Sequence, residues 1–389
     1  MKKVIAILLA LVMVLSCASC GTTEEPTVEL EGNAKILSEG ANLTHDELVA
    51  KAKAETGAFA VYATSSRAKD AGKKFTELYG IEVEATNVKD GEIYTKLETE
   101  ISSNNTKGAD VVMTQNGAVL KVTMIDTGYL LNYVPASIKG SVDAADQLPL
   151  VQQYINKLFM YNNVNADANK FKNVWQFTEA ENKDKIFFKS PENETVNKNF
   201  LIMLTSDEWA GKLAKAYKEL YGKDIVLGEF KNAGYKWVAE FLQNCSFAIN
   251  SDTTIAKELS NVEAKGKAGL FVYSKLRSKD VTATNLIVSA FETITPFAGF
   301  MYPLYTMITK NTDRPYTSML FVEHLMGAEG FAPWGKDNGA YSGNTSLKVN
   351  EDKGDKPLNF WKNCLVNEDP EYIIKATDVP DFISKYMGK

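Results

Sequence analysis

Histidine and arginine are scarce in this chain. His45 and His324 are its two histidines, and Arg67, Arg277 and Arg314 its three arginines, among 389 residues. So few imidazoles starve any reading built on a histidine-rich metal site or a proton shuttle. The four cysteines, Cys17, Cys20, Cys245 and Cys364, are too few for a disulfide scaffold. G-x-S-x-G, H-E-x-x-H and G-x-x-x-x-G-K-[ST] are all absent, and both histidines fall on expected helices, so a serine triad has no obvious base. A dominant charge is missing too. With 43 basic against 49 acidic residues the net charge is -6, a poor match for wrapping nucleic acid, which needs a basic face. Neither an enzyme nor a cofactor or metal site is expected. What remains is an ordinary globular composition, 45% hydrophobic, long enough for two domains or one discontinuous one. A chain of this length buries roughly three quarters of its unfolded surface and needs no covalent staple.

The first twenty residues have their own character. Lys2 and Lys3 precede an apolar run, Val4 to Ser16, too short to span a bilayer and of the length of a signal-peptide core. Ser16-Cys17-Ala18-Ser19-Cys20-Gly21 follows and resembles a bacterial lipoprotein signal. Cys20 fits best as the lipidated residue, with Cys17 the competitor. The resemblance implies a protein outside the cytoplasm, held to a membrane by lipid. Gly21 to Ala34 is polar and acidic and reads as a tether. Thr44 with Glu47 three residues on is a capping-box pattern opening a helix to about Thr56, which makes His45 an exposed first-turn residue.

Beyond it, strand and helix patterns alternate. Phe59–Ala63, Ile81–Ala85 and Ala109–Met113 read as strands, separated by amphipathic helices carrying Phe75 and Leu78, then Ile93, Leu97 and Ile101. This predicts an α/β fold with a mainly parallel sheet. A second α/β unit follows, with Lys157–Asn162, Lys185–Lys189 and Ala268–Tyr273 as strands and helices carrying Trp209 and Trp237.

The order of these segments resembles a family. Phe59 to Arg67, Gly91-Glu92-Ile93-Tyr94-Thr95-Lys96-Leu97, Gly108–Val112, Asp126–Leu131, Thr295–Gly299 and Met307–Asn311 are similar to stretches of the extracellular solute-binding proteins of ABC importers, in the group that includes ferric, polyamine and phosphonate binders. The resemblance spans roughly residues 55–335. It implies a two-lobed periplasmic-binding-protein-like fold of type II with a hinge. Residues 1–19 would be the signal peptide and 20–50 the lipid-anchored tether and first helix. One lobe would join 51–155 to 296–335, and the other 156–295 to 336–389. The implied partners are a small-molecule solute in the cleft, a membrane permease, and the membrane through the lipid anchor, with no nucleic acid and a monomeric protein. The ferric branch resembles itself in using adjacent tyrosines, and no two tyrosines are adjacent here. Iron binding and a non-transport surface lipoprotein or adhesin stay open as alternatives.

In parallel sheets ligands bind beyond the carboxyl ends of the strands. Ser65, Ser66 and Arg67 occupy one such end, where a helix N-terminus and a planar guanidinium favour an anionic or polyoxygenated group. They also read as an N-cap and a solvated arginine. Asp90 and Glu92 are candidate acceptors, or simply helix-start acids. Thr114, Gln115 and Asn116 follow the third strand and read as hydrogen-bonding ligands or as turn residues. Trp175 and Tyr273 are aromatic candidates for the cleft, with Trp334, Phe300 and Tyr302 near the crossings. Ser190 and Glu192 sit where the resemblance places a ligand-facing turn of the second lobe. Cys245 and Cys364 are equally compatible with a disulfide and with two thiols.

Overall fold

A computed structural model describes residues 30–162, 171–264, 266–277, 288–290, 293–336, 339–348, 351 and 355–387. Cys17, Cys20 and the signal segment lie outside them. The tether expected to reach Ala34 ends earlier, because helix α1 (Gly32–Gly40) begins within it. Helix α2 (His45–Ala54) opens on the expected capping box, with the Thr44 N–H donating to Glu47 Oε2 at 2.9 Å. His45 lies exposed beside Glu323, at 3.1 Å.

The first half then alternates as the sequence pattern requires: β1 (Ala60–Ala63), α3 (Ala68–Tyr79), β2 (Glu84–Asn87), α4 (Asp90–Ser102), β3 (Val111–Thr114) and a short α5 (Gly117–Val119) running into a π-helical turn to Ile125. Strand β4 (Leu130–Leu131) follows, then the long β5 (Val151–Asn162). The second half holds β6 (Ile186–Phe188), α6 (Thr195–Met203), α7 (Asp207–Tyr221), α8 (Ala233–Asn244), α9 (Asp252–Leu259), β7 (Ala268–Val272) and β8 (Val288–Ala290). Strand β9 (Gly299–Thr309) returns to the first half, where α10 (Pro315–Met326) and α11 (Ala328–Phe331) pack. The tail adds β10 (Ala340–Ser342), α12 (Leu358–Cys364), β11 (Val366–Asn367), α13 (Pro370–Lys375) and α14 (Val379–Met387).

The main strand order is β2-β1-β3-β9-β5-β7-β6. Within each half the sheet is parallel, β2 and β3 flanking β1, and β6 beside β7. The pairs that join the halves are antiparallel, β3 with β9, β9 with β5 and β5 with β7. A chain that leaves on β5 and comes back on β9 must run its two crossings in opposite directions.

Two cores flank this crossing. In the first half Phe59, Phe75 and Phe321 meet, with the Phe75 and Phe321 rings 5.1 Å apart. Val111 and Met113 face this cluster, while Val112 faces a third one with Ile93, Leu97 and Met307, as strand alternation demands. In the second half Trp237 stacks on Phe241 at 4.6 Å and meets Phe297 at 5.5 Å. The boundary runs through the crossing strands: Leu158 and Tyr302 belong to the second core, Leu150 and Leu304 to the first. At this level β5 carries a register shift between Val151 and Gln153, and β9 places Pro303 opposite Tyr154. Proline offers no N–H, so β9 has no backbone donor at this position of the ladder. Further along, Gly299 has φ +147 and lies so close to β5 that a Cβ there would stand 2.1 Å from the Lys157 carbonyl oxygen.

Both remaining polar oddities of the first half are structural. Arg314, 3% exposed, donates to the Gly57 carbonyl and lies 5.7 Å above the Phe59 ring. The buried His324 donates from Nε2 to the Ala71 carbonyl at 3.0 Å, and burial holds its pKa below the ordinary value. Cys245 and Cys364 are thiols rather than a disulfide.

Candidate functional site

A cavity of about 780 Å³ opens between the halves. Its floor is one face of the crossing: Gln153 and Ile155 on β5, with Leu304 and Tyr302 opposite them in register on β9. One wall comes from the first half, as Thr64 to Arg67, Asn87 to Glu92, and Gln115. The facing wall is Lys189, Glu192 to Thr195, Asp252, Ser274 and Lys275. Trp334 and Ala340 complete it.

Ser65, Ser66 and Arg67 form the turn between β1 and the twelve-residue α3. The Ser65 and Ser66 carbonyls accept from the Ala68 and Lys69 N–H groups at 3.2 Å each, and the Trp334 indole N–H donates to Ser65 Oγ at 3.3 Å. Burial lowers the Arg67 pKa, with Asp70 opposing it, so the guanidinium is already partly stripped of water. Asp90 is the first residue of α4. Its carboxyl is pushed up to about 7, first by burial and then by Glu194 and Glu368, against a hydrogen bond from Gln115.

Charges crowd around Tyr302. Burial drives its phenol well above the ordinary value, and Glu194, Asp252, Asp90 and Glu368 add to this. Lys157, wholly buried on β5, meets Glu194 Oε1 at 2.8 Å, Asn197 Oδ1 at 3.1 Å and Asp252 Oδ2 at 3.9 Å. Lys189 also binds Glu194. Burial alone would raise Glu194, but the two lysines outweigh it and hold the carboxyl below its usual range. Three buried acceptor oxygens of the lining have no hydrogen-bond partner among the described residues: Asp90 Oδ1, Gln153 Oε1 and Asp252 Oδ1.

Of the residues singled out in the sequence, the fold brings Ser65, Ser66, Arg67, Asp90, Glu92, Gln115, Glu192, Tyr302 and Trp334 together at the cavity. The others are placed elsewhere. Thr114 is fully buried and donates to the Tyr94 hydroxyl at 3.0 Å. Asn116, at φ 65, turns away and accepts from Asn199 at 3.2 Å. Ser190 Oγ accepts from the Glu192 N–H at 3.3 Å and shapes the turn. Trp175 is core: it sits on a 3-10 turn (Val174–Thr178), and its indole N–H donates to the Leu213 carbonyl at 2.9 Å. Tyr273 packs edge-on against Trp361 at 5.3 Å, behind Gly339. The sequence reading missed Gln153, Lys157, Lys189, Glu194 and Asp252. A signal for the first two was present, because Gln152, Gln153, Asn156 and Lys157 interrupt an otherwise apolar twelve-residue strand.

The family model for bacterial extracellular solute-binding proteins matches residues 70–360. The chain belongs to this family. Members of this solute-binding family are transport proteins and not enzymes; they work outside the cytoplasm, bind small solutes and deliver them to ABC permeases. The chain is thus the solute-binding component of ABC transport. No curated protein matches its sequence. Solved structures share the two-lobed type II architecture. A ferric binding protein from Campylobacter jejuni is 17% identical, with TM-score 0.62, over 84% of this chain and 99% of its own. Iron-bound HitA from Pseudomonas aeruginosa is 13% identical, with TM-score 0.64, over 85% and 99%. The binding protein AgtB from A. tumefaciens R10, in complex with agropinic acid, is 13% identical, with TM-score 0.59, over 86% and 100%. At these identities the likeness is one of fold. Among the described residues no helix is long and apolar enough to cross a membrane.

Proposed function

We propose that this solute-binding protein is held to the membrane by lipid on Cys20 and captures, as a monomer, a small polar solute with an anionic group. The observation that carries the anionic reading is Arg67. It is partly desolvated at the cavity wall, beside Ser65 and Ser66 and at the N-terminus of α3. A helix N-terminus and a forked guanidinium both favour carboxylate or phosphate oxygens. A cavity of about 780 Å³ lies in the range of small-molecule sites. The lobes that close on the solute are 51–155 with 296–335 and 156–295 with 336–389, a reading supported by the separate buried cores on either side of the crossing strands.

A ferric ion would call for phenolate ligands. Among the described residues of the lining the cavity offers one tyrosine, Tyr302, and this favours an organic solute.

A thermal-shift screen of carboxylates, sugar phosphates, phosphonates, sugars, polyamines and ferric salts tests the reading, since a ligand of the folded state raises the melting temperature. Anionic compounds should stabilise the wild type, and Arg67→Ala should weaken them by roughly 1.5–3 kcal/mol. Stabilisation by neutral sugars alone, or by anions equally in Arg67→Ala, refutes it. Intact mass of membrane-extracted protein, with Cys20→Ala as control, tests the anchor.

A further inference from the structure

Gln153 is 1% exposed, yet its Oε1 finds no donor among the described residues. Asp90 Oδ1 and Asp252 Oδ1 share that condition, and all three side chains line the same cavity. Buried polar atoms are nearly always paired, so three orphans of one kind in one cavity describe the missing partner. All three are acceptors. The partner is therefore a donor, and a protonated amine brings three N–H groups, a guanidinium five.

Charge selects among donors. Around the floor Lys157 and Lys189 are drawn onto Glu194, and Lys157 stands 3.9 Å from Asp252, whereas the charge that acts on Asp90 from this wall is the Glu194 carboxylate. Glu368, buried behind the floor, adds to the negative potential at Asp90. A hydroxyl would satisfy one acceptor and leave the charge; a cation satisfies both demands.

We infer that the solute carries a protonated nitrogen opposite its anionic end, seated on Asp90 Oδ1, Gln153 Oε1 and Asp252 Oδ1. This deepens the anionic reading above and rests on it for the other end of the molecule: the solute is zwitterionic. Asp90 belongs to the first half, Asp252 to the second, and Gln153 to the crossing strand between them. The nitrogen therefore bonds both lobes at once, and its affinity for the closed arrangement drives closure.

Matched probes test this by isothermal titration calorimetry on the full mature chain: 4-aminobutanoate and 6-aminohexanoate, their 4- and 6-hydroxy counterparts, butanoate and hexanoate, and butylamine and hexylamine. The amino acids should bind roughly tenfold or more tightly than the hydroxy and unsubstituted acids, the ratio one charge-assisted hydrogen bond commands. Asp90→Asn should shrink that ratio toward one, by weakening the amino acids relative to their hydroxy and unsubstituted partners. If no amino acid outperforms its hydroxy and unsubstituted partners, in affinity or by binding at all, the inference is overturned. Equal binding by the plain carboxylates removes the nitrogen seat and leaves the anionic reading standing. Equal binding by the plain amines does the reverse.

Discussion

Replacing Asp90 by asparagine should make the ligand-free protein more stable, and by an amount that depends on pH. In the folded chain the Asp90 carboxyl is pushed up to about 7 from an ordinary 3.8, by burial, Glu194 and Glu368. Folded Asp90 thus holds a proton between about pH 4 and pH 7 that the unfolded chain has already lost. The penalty for keeping a carboxylate there grows as pH rises through this window and is constant above it. Three pKa units correspond to about 4 kcal/mol at pH 8, and to about 2 kcal/mol at pH 5. Asparagine cannot ionise and removes the penalty. With an unfolding entropy near 2.1 cal/mol/K per residue, the 389-residue chain should melt about 5 °C higher at pH 8 and about 2 °C higher at pH 5. Differential scanning calorimetry at both pH values reads this directly. A variant that melts lower than wild type at pH 8, or whose gain is the same at both pH values, refutes the account of Asp90. The same substitution should weaken discrimination in favour of amines, the familiar exchange of stability for a binding group held in strain.

Other consequences are sharper in sign than in size. Affinity for amino-carboxylate probes should rise as pH passes upward through about 7, because burial first, then Glu194 and Glu368, leave Asp90 protonated below that point against the hydrogen bond from Gln115, with the Tyr94 phenol as its other titratable neighbour; a flat profile from pH 5.5 to 8.5 would contradict this. Trp175→Ala should cost about 3–5 kcal/mol in a denaturant titration, as for other buried tryptophans, without altering solute affinity of the folded fraction. Gly299→Ala should destabilise the protein by more than about 1 kcal/mol, since its φ of +147 and the Lys157 carbonyl both exclude a Cβ. An unchanged melting temperature would mean that the crossing strands are farther apart than they stand here.

The first half was legible because its sequence is locally consistent: Thr44 and Glu47 cap α2, and apolar spacing marks α3 and α4. Ser65–Arg67, Asp90 and Gln115 come to the cavity together because in a parallel sheet the strand ends converge on one edge. Thr114 and Asn116 lie away from the cavity for a related reason. Successive side chains beyond a strand face opposite ways, and a motif of three polar residues sends one of them to the cleft. The facing wall was harder to read. Glu194 and Asp252 lie at the starts of α6 and α9, where an acid or a polar residue is ordinary, and what makes them a site is Lys157, brought there by β5 from far along the chain. Trp175 misled because aromatic residues serve both cores and cavities, and only its partner, the Leu213 carbonyl, decides between them.

The crossing strands also set a timetable. Strand β9 lies between β3 and β5, and Thr309 bonds the Ala109 carbonyl across 200 residues of sequence. As the chain emerges from the ribosome, β1, β2 and β3 appear long before their fourth neighbour exists. Their apolar edge stays unpaired until residue 309 has been made. Contacts of such sequence separation form slowly, and partly completed sheets invite misassembly. Folding of the first half therefore waits on the last third of the chain, and a fragment ending before residue 299 should neither fold nor remain dispersed.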